Sequence, residues 1–254
     1  MTDNARDVME YEVAIVGAGP AGLACAIRLK QLKPDLSICV LEKAASLGAH
    51  SLSGAVMEPG PLDELLPGWR DHAPAICVPA ARDEFLFMTR RKRYRLPIVP
   101  PQMANHGNFI ISLGQLIPIL GAEAEKLGVD VFPGFAAAEA LFDESGAAVK
   151  GVRIGDMGVD KNGEPGPNFA LGPEIHAKIT MFCEGCRGSI SKQLIRRFKQ
   201  IEISLERSIL LNTQCNPHPC GQSIPKFHRH QFMSLSYFAL FAPLRLIFLP
   251  GKQN

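Results

Sequence analysis

The stretch Val13-Ala14-Ile15-Val16-Gly17-Ala18-Gly19-Pro20-Ala21-Gly22-Leu23-Ala24-Cys25-Ala26-Ile27-Arg28-Leu29 decides the fold. Its first four residues are apolar without alternation, as in a strand covered by helices on both faces. Gly17-x-Gly19-x-x-Gly22 follows at once. Gly17 permits a tight turn, Gly19 lets a pyrophosphate approach bare backbone, and Gly22 lets the next helix lie close to the strand. Ala24, Ile27 and Leu29 then fall on one side of that helix. Its free N–H groups and dipole favour an anion at the start.

A glycine triplet alone is a weak signal. Here it stands between a strand and a helix, which is the context the chemistry needs. A second apolar run, Leu36 to Leu41, ends in Glu42, twenty positions beyond Gly22. A carboxylate there accepts hydrogen bonds from an adenosine ribose and repels a 2′-phosphate. The anion is therefore read as a dinucleotide pyrophosphate. The motif by itself leaves FAD and NAD open. The loop Glu42 to Ala55 is rich in glycine and hydroxyls, which suits a cofactor extending past the first βαβ unit, as the flavin end of FAD does.

Length and composition set bounds. The 254 residues are 46% hydrophobic and 20% charged, ordinary for a globular protein able to bury a core. A net charge of +2 argues against nucleic acid as a partner. The local run Arg90-Arg91-Lys92-Arg93 reads as a solvated turn. Seven cysteines form no framework and the N-terminus has no signal-peptide pattern, so the expected setting is a reducing cytoplasm with free thiols. No stretch up to Gln200 is apolar enough to cross a bilayer.

Several longer stretches carry a more specific signal. "VGAGPAGLACAIRLKQL", "LEKAASLGAHSLSGAVMEPG", "NHGNFIISLGQL", "GDMGVDKNGEPGPNF" and "EIHAKITMFCEGCRG" resemble electron-transfer flavoprotein–ubiquinone oxidoreductase in a bacterial form, over about residues 11–199. The resemblance implies an α/β, FAD/NAD(P)-binding Rossmann-like domain with an inserted antiparallel β region. The FAD-binding part would span 10–75 and 170–200, with a substrate- and quinone-side β region and a helix at 76–169 between them. It implies electron transfer from electron-transfer flavoprotein through FAD and a [4Fe–4S] cluster to ubiquinone, at the surface of a bacterial inner membrane on the cytoplasmic side. FAD contacts are implied at Gly17, Ala18, Gly19, Pro20, Ala21, Gly22, Glu42 and Lys43, and along the loop at Gly48, His50, Ser51, Ser53 and Gly54.

The resemblance also implies that the segment from Ser53 to His72 dips into lipid, with Leu62, Leu65, Leu66, Pro67 and Trp69; the same cluster reads equally as protein core. His106, in Asn105-His106-Gly107-Asn108, is not assigned a catalytic role. No cluster ligands are found, and Cys183-x-x-Cys186 is not read as a metal pair: the resemblance accounts for Cys186, Cys183 stands where the family usually has alanine, and a single C-x-x-C cannot fill four ligand positions. An NAD(P)H-dependent flavin reductase or hydroxylase, or a non-catalytic FAD-binding fragment, are the alternatives.

Ser112 is expected to cap a helix that starts near Leu116, because Pro118 suits only a first turn. Val129 to Ile154 reads as a meander of three strands, and Asp156 to Phe169 as a loop. Residues 201–254 match nothing in the resemblance. Cys215, His218, Cys220, His228 and His230 have metal-ligand chemistry but no known spacing, and Phe238 to Pro250 is short and broken for a membrane span. The favoured reading is unselected, out-of-frame text after a truncated enzyme, impaired alone.

Overall fold

A computed structural model describes residues 6–51, 53–160 and 164–198. The tail expectations, including every residue from Cys215 to Pro250 named above, lie outside the described residues. In chain order the elements are β1 (Val8–Val16), α1 (Pro20–Leu32), β2 (Ile38–Glu42), β3 (Ser53–Met57), α2 (Pro59–Leu65), α3 (Ala73–Ile76), β4 (Cys77–Pro79), β5 (Leu86–Met88) and β6 (Arg93–Arg95). They continue with β7 (Phe109–Ser112), α4 (Leu113–Lys126), β8 (Asp130–Pro133), β9 (Ala137–Phe142), β10 (Val149–Ile154), β11 (Met157–Val159), β12 (Pro165–Ala170), β13 (Glu174–Phe182) and α5 (Ser189–Phe198).

The largest sheet has the order β8-β2-β1-β13-β10-β9. Its first four strands are parallel, and β10 and β9 add an antiparallel edge. The unbroken apolar run of β1 follows from its central place. Val13 and Ile15 point into a core shared with α1 and α4, while Ala14 and Val16 point into a second core under α5. Both faces are dry, so strand alternation leaves no polar position. Leu23 and Ile27 of α1 meet Leu116, Leu120 and Ala124 of α4 in the first core. Each such leucine or isoleucine contributes roughly 1.5–3 kcal/mol by leaving water.

The expected meander is corrected. Only β9 and β10 form a hairpin, closed by Asp143, whose carboxylate accepts the N–H groups of Ala147 and Ala148 at 2.9 and 3.1 Å. β8 lies at the opposite edge, parallel to β2, with Val40 opposite Val131. A four-residue strand does not reveal which distant strand it joins. The expected loop after Asp156 is corrected too: β11 and β12 pair there as a ribbon. Gly158 takes φ +69° against the backbone of Asn168, a close approach open only to glycine.

α4 starts at Leu113, earlier than expected, and the Ser112 side chain makes no cap hydrogen bond. Pro118 sits well inside the helix on its exposed side. It cannot donate to Gly114 O, and that carbonyl faces the backbone of Gly48, whose added Cβ would lie 2.6 Å from it. Packing of Leu116, Ile117 and Leu120 outweighs the proline penalty. Replacing Pro118 with alanine is expected to raise stability by about 1–3 kcal/mol, read as a higher urea midpoint with unchanged slope.

A three-stranded sheet, β3-β7-β4, stands beside the main one. α2 and the turn after it fold against its inner face. Leu62 and Leu65 are buried, and Trp69 is 2% exposed and edge-on to Phe109. Trp69 Nε1 donates to Asp63 at 2.7 Å, and Arg70 forks onto the same carboxylate while lying over the Trp69 ring. The expectation that Leu62, Leu65 and Trp69 enter lipid is therefore corrected. An amphipathic pattern says only that one face is dry, and here the dry side is protein.

Candidate functional site

The carboxyl ends of β1, β2, β8 and β13 gather at one edge of the main sheet, where open parallel sheets bind ligands. Gly17 N donates to Leu41 O at 2.8 Å, Cys183 N to Val16 O at 2.8 Å and Gly134 N to Ala44 O at 2.8 Å. These bonds tie four chain segments around the glycine turn.

Each glycine of the turn is small for a different reason. Gly17 has φ +106°, and an added Cβ would stand 2.5 Å from Cys183 O. At Gly22 an added Cβ would collide with Gly17 O and crowd Ile15. Gly19 is different: an added Cβ would meet nothing within 4 Å, and its φ of −75° suits any residue. The protein's own packing gives no reason for glycine there. A ligand against the backbone does.

The α1 ladder begins with Leu23 N donating to Gly19 O at 3.0 Å, so the N–H groups of Ala21 and Gly22 stand above it. Pro20 occupies the first helical position, no side chain caps the helix, and its first turn carries no acid. An external anion would find donors, a favourable dipole and no internal carboxylate competing for them.

Glu42, at the end of β2, accepts Ala18 N–H at 3.1 Å on one oxygen and Ala44 N–H at 2.8 Å on the other. It thereby pins the turn to the following strand. Each oxygen keeps a lone pair for a hydroxyl donor. This pinning role was not read from the sequence, which gave Glu42 to a sugar alone.

The loop from Lys43 to Gly54 leaves β2 and reaches β3. Lys43 and His50 are exposed, and Ser51 is half-buried with its N–H on Gly48 O at 3.0 Å. Gly48 takes φ +81° against Gly114, and Leu47 packs where Gly121 has no side chain. Gly114 and Gly121 thus seat the loop on α4, a function no local motif signals. Gly54 has φ +83° and open space around it; Ser53 enters β3 opposite Ser112.

Beyond β13, Glu184 accepts the N–H groups of Ser189, Ile190 and Ser191 at 3.1, 3.2 and 2.7 Å. It fills the start of α5 with a carboxylate, so that helix offers no second anion site. Among the described residues Cys25, Cys39, Cys77, Cys183 and Cys186 form no disulfide. Burial pushes the Cys25 thiol up to about 11 and the Cys39 and Cys183 thiols to about 12, with Cys25 adding to the rise at Cys183. These groups stay protonated, weak nucleophiles and poor ligands. Among the described residues no group of three or more His, Cys, Asp or Glu is placed to hold a metal. His106 is exposed; its neighbour Asn105 is bound through main chain and side chain to Asp83 at 2.7 and 2.9 Å.

Comparison with known proteins finds similar sequences and similar folds. The profile of the Thi4 family matches residues 1–59. A protein of Acinetobacter baylyi (strain ATCC 33305 / BD413 / ADP1), "Probable electron transfer flavoprotein-ubiquinone oxidoreductase", is 51% identical over 201 residues, which is 76% of this chain and 35% of the relative. The mitochondrial electron transfer flavoprotein-ubiquinone oxidoreductase of Homo sapiens is 48% identical over 221 residues, 85% of this chain and 34% of the relative. This chain spans about a third of the length of the curated relatives it matches. Among solved structures, the flavin-dependent monooxygenase PieE in complex with FAD and substrate aligns with TM-score 0.52 at 18% identity, over 77% of this chain and 33% of that one. The brominase Bmp2 aligns with TM-score 0.51 at 16% identity, over 74% and 40%. The shared feature is the fold, an α/β FAD/NAD(P)-binding type with a mainly parallel sheet.

Proposed function

We propose, from the premise that this chain resembles about a third of the length of electron-transfer flavoprotein–ubiquinone oxidoreductase, that it holds FAD for a flavin-dependent oxidoreductase of that type. The observation that carries the proposal is Gly19. It is a glycine whose missing side chain leaves room for nothing in the protein, set beneath unpaired helix N–H groups.

The residues fit the cofactor. Gly19, Ala21 and Gly22 present N–H groups to the pyrophosphate, with Gly17 and Pro20 shaping the turn and Ala18 held back by Glu42. Glu42 accepts from the ribose hydroxyls with its remaining lone pairs. Lys43, Gly48, His50, Ser51, Ser53 and Gly54 line the path toward the flavin end. FAD, when bound, accepts and releases electrons; the chain supplies orientation and electrostatics. No step is drawn through an iron–sulfur cluster, since the described cysteines do not group as its ligands.

The dinucleotide-holding part comprises residues 10–75 and 170–200, to which the topology adds α4 and β8. Within 76–169, β9 and β10 also belong to the main sheet, and the remainder is the substrate side. The donor is electron-transfer flavoprotein, the acceptor is ubiquinone, and the site of action is the cytoplasmic face of a bacterial inner membrane. Among the described residues no helix is long and apolar enough to cross a membrane.

The test is an anaerobic half-reaction on the FAD-loaded chain. Reduced electron-transfer flavoprotein should bleach the bound flavin, and a soluble quinone should restore its colour. Rapid bleaching by NAD(P)H, with none by electron-transfer flavoprotein, would reassign the chain to a flavin reductase or hydroxylase.

A further inference from the structure

The sheet β3-β7-β4 is apolar on both faces, but its core lies on one. β7 runs Phe109-Ile110-Ile111-Ser112, β3 carries Ala55-Val56-Met57 and β4 carries Cys77-Val78. A sheet with one face in water alternates apolar with polar residues, whereas successive apolar residues suit a strand covered on both sides. On the inner face Ile111 stands opposite Ala55 and Cys77, packed with Leu62, Leu65 and Trp69. On the outer face one rung reads Val56, Ile110, Val78. Val56 is half-buried, Ile110 is 49% exposed and Val78 is 64% exposed. All three are β-branched and stiff at χ1, so together they make a firm apolar strip.

The strip begins where the cofactor loop ends. The loop from Lys43 runs into β3, and Gly54, with open space around it, stands two residues before Val56. On β7, Ser112 shares the outer face with Ile110, two residues and about 7 Å along the strand. The loop abuts Ser112: a side chain added at Gly114 would meet Gly48 O at 3.5 Å, Ser51 O at 3.8 Å and Ser112 Oγ at 4.0 Å. The strip therefore continues the path that leaves Gly19 and follows the loop.

We propose that Val56, Ile110 and Val78 form the platform on which the flavin ring of FAD lies. The inference rests on the cofactor reading above and names the residues that hold the far end of the same ligand. The ring is flat, with an apolar dimethylbenzene edge and a polar pyrimidine edge. Its apolar part covers the strip and removes both surfaces from water. The Ser112 hydroxyl, on the same face, serves its polar edge. A second copy of this chain is a weaker occupant, because a strip one rung wide falls far short of the area that a stable dimer buries.

The test compares two ligands on one chain. FAD and ADP-ribose share adenosine and pyrophosphate and differ at the flavin. Ile110→Thr with Val78→Thr keeps β-branched side chains in both strands and replaces apolar surface with hydroxyls. FAD affinity should fall about thirtyfold, while ADP-ribose affinity should stay at the parental value. Ile110→Val should bind FAD within about fourfold of the parent. The visible bands of the bound flavin should show the resolved shoulders of an apolar setting in the parent and lose them in the double variant. Both side chains are exposed, so melting of the ligand-free chain should not move. Parental FAD affinity in the double variant would overturn this inference and leave the cofactor reading standing. Equal loss for FAD and ADP-ribose would overturn it too, since the strip would then act on the fold and not on the ring. Binding of neither ligand by the parent would overturn both. A dimer in sedimentation that the double variant dissociates, with FAD affinity unchanged, would give the strip to a second copy instead.

Discussion

Gly22→Val is expected to prevent this chain from folding. The new Cβ would have to occupy the space of Gly17 O, and the nearest side chain, Ile15, is itself fully buried. Neither partner is the free end of a flexible side chain. Relief would require α1 to move off β1, opening the core of Leu23, Ile27, Leu116 and Leu120. The expected destabilisation exceeds about 4 kcal/mol, a large part of the 5–15 kcal/mol available to a domain. Recovery of soluble protein and the urea midpoint report it. A Gly22→Val chain that melts as the parent does would show that α1 and β1 are not packed as described.

Gly19→Leu should do the opposite. The position has ordinary backbone angles and open space around its missing side chain, so the fold should tolerate leucine. Melting should move by no more than a few degrees, since a leucine N-cap loses at most about 1 kcal/mol against glycine. The leucine would stand where the pyrophosphate must approach. FAD affinity should fall at least about a hundredfold, the loss of roughly 3 kcal/mol of charge-assisted hydrogen bonding. The two glycines, three residues apart, thus separate folding from binding. Equal FAD affinity in Gly19→Leu would remove the observation on which the proposed function rests.

What the sequence reveals follows from how local the physics is. Val13 to Leu29 is legible because strand, turn and helix are contiguous and the three glycines fall at the spacing the turn requires. Glu42 is legible as a position but not in its second role, since its bonds to Ala18 and Ala44 depend on how β2 ends beside the turn. The place of β8 is not legible: Val131 opposite Val40 is a pairing across ninety residues, chosen by the sheet rather than by the segment. Pro118 misleads for a related reason, because the packed face of α4 and the approach of Gly48 compensate a local fault from outside the helix. Leu62, Leu65 and Trp69 show the limit of pattern reading. The same periodicity fits lipid or core, and only the Asp63–Trp69–Arg70 arrangement against Phe109 decides for core.

The central claim is that the turn from Gly17 to Gly22 holds the linked phosphates of a dinucleotide whose ribose meets Glu42. Its most direct test is an equilibrium titration of the purified chain with FAD, followed by displacement with ADP-ribose, which carries the adenosine and pyrophosphate but no flavin. The account predicts one FAD per chain and full competitive displacement by ADP-ribose. Binding of FAD that ADP-ribose leaves untouched, or no FAD binding by a chain with a cooperative melting transition, would contradict it.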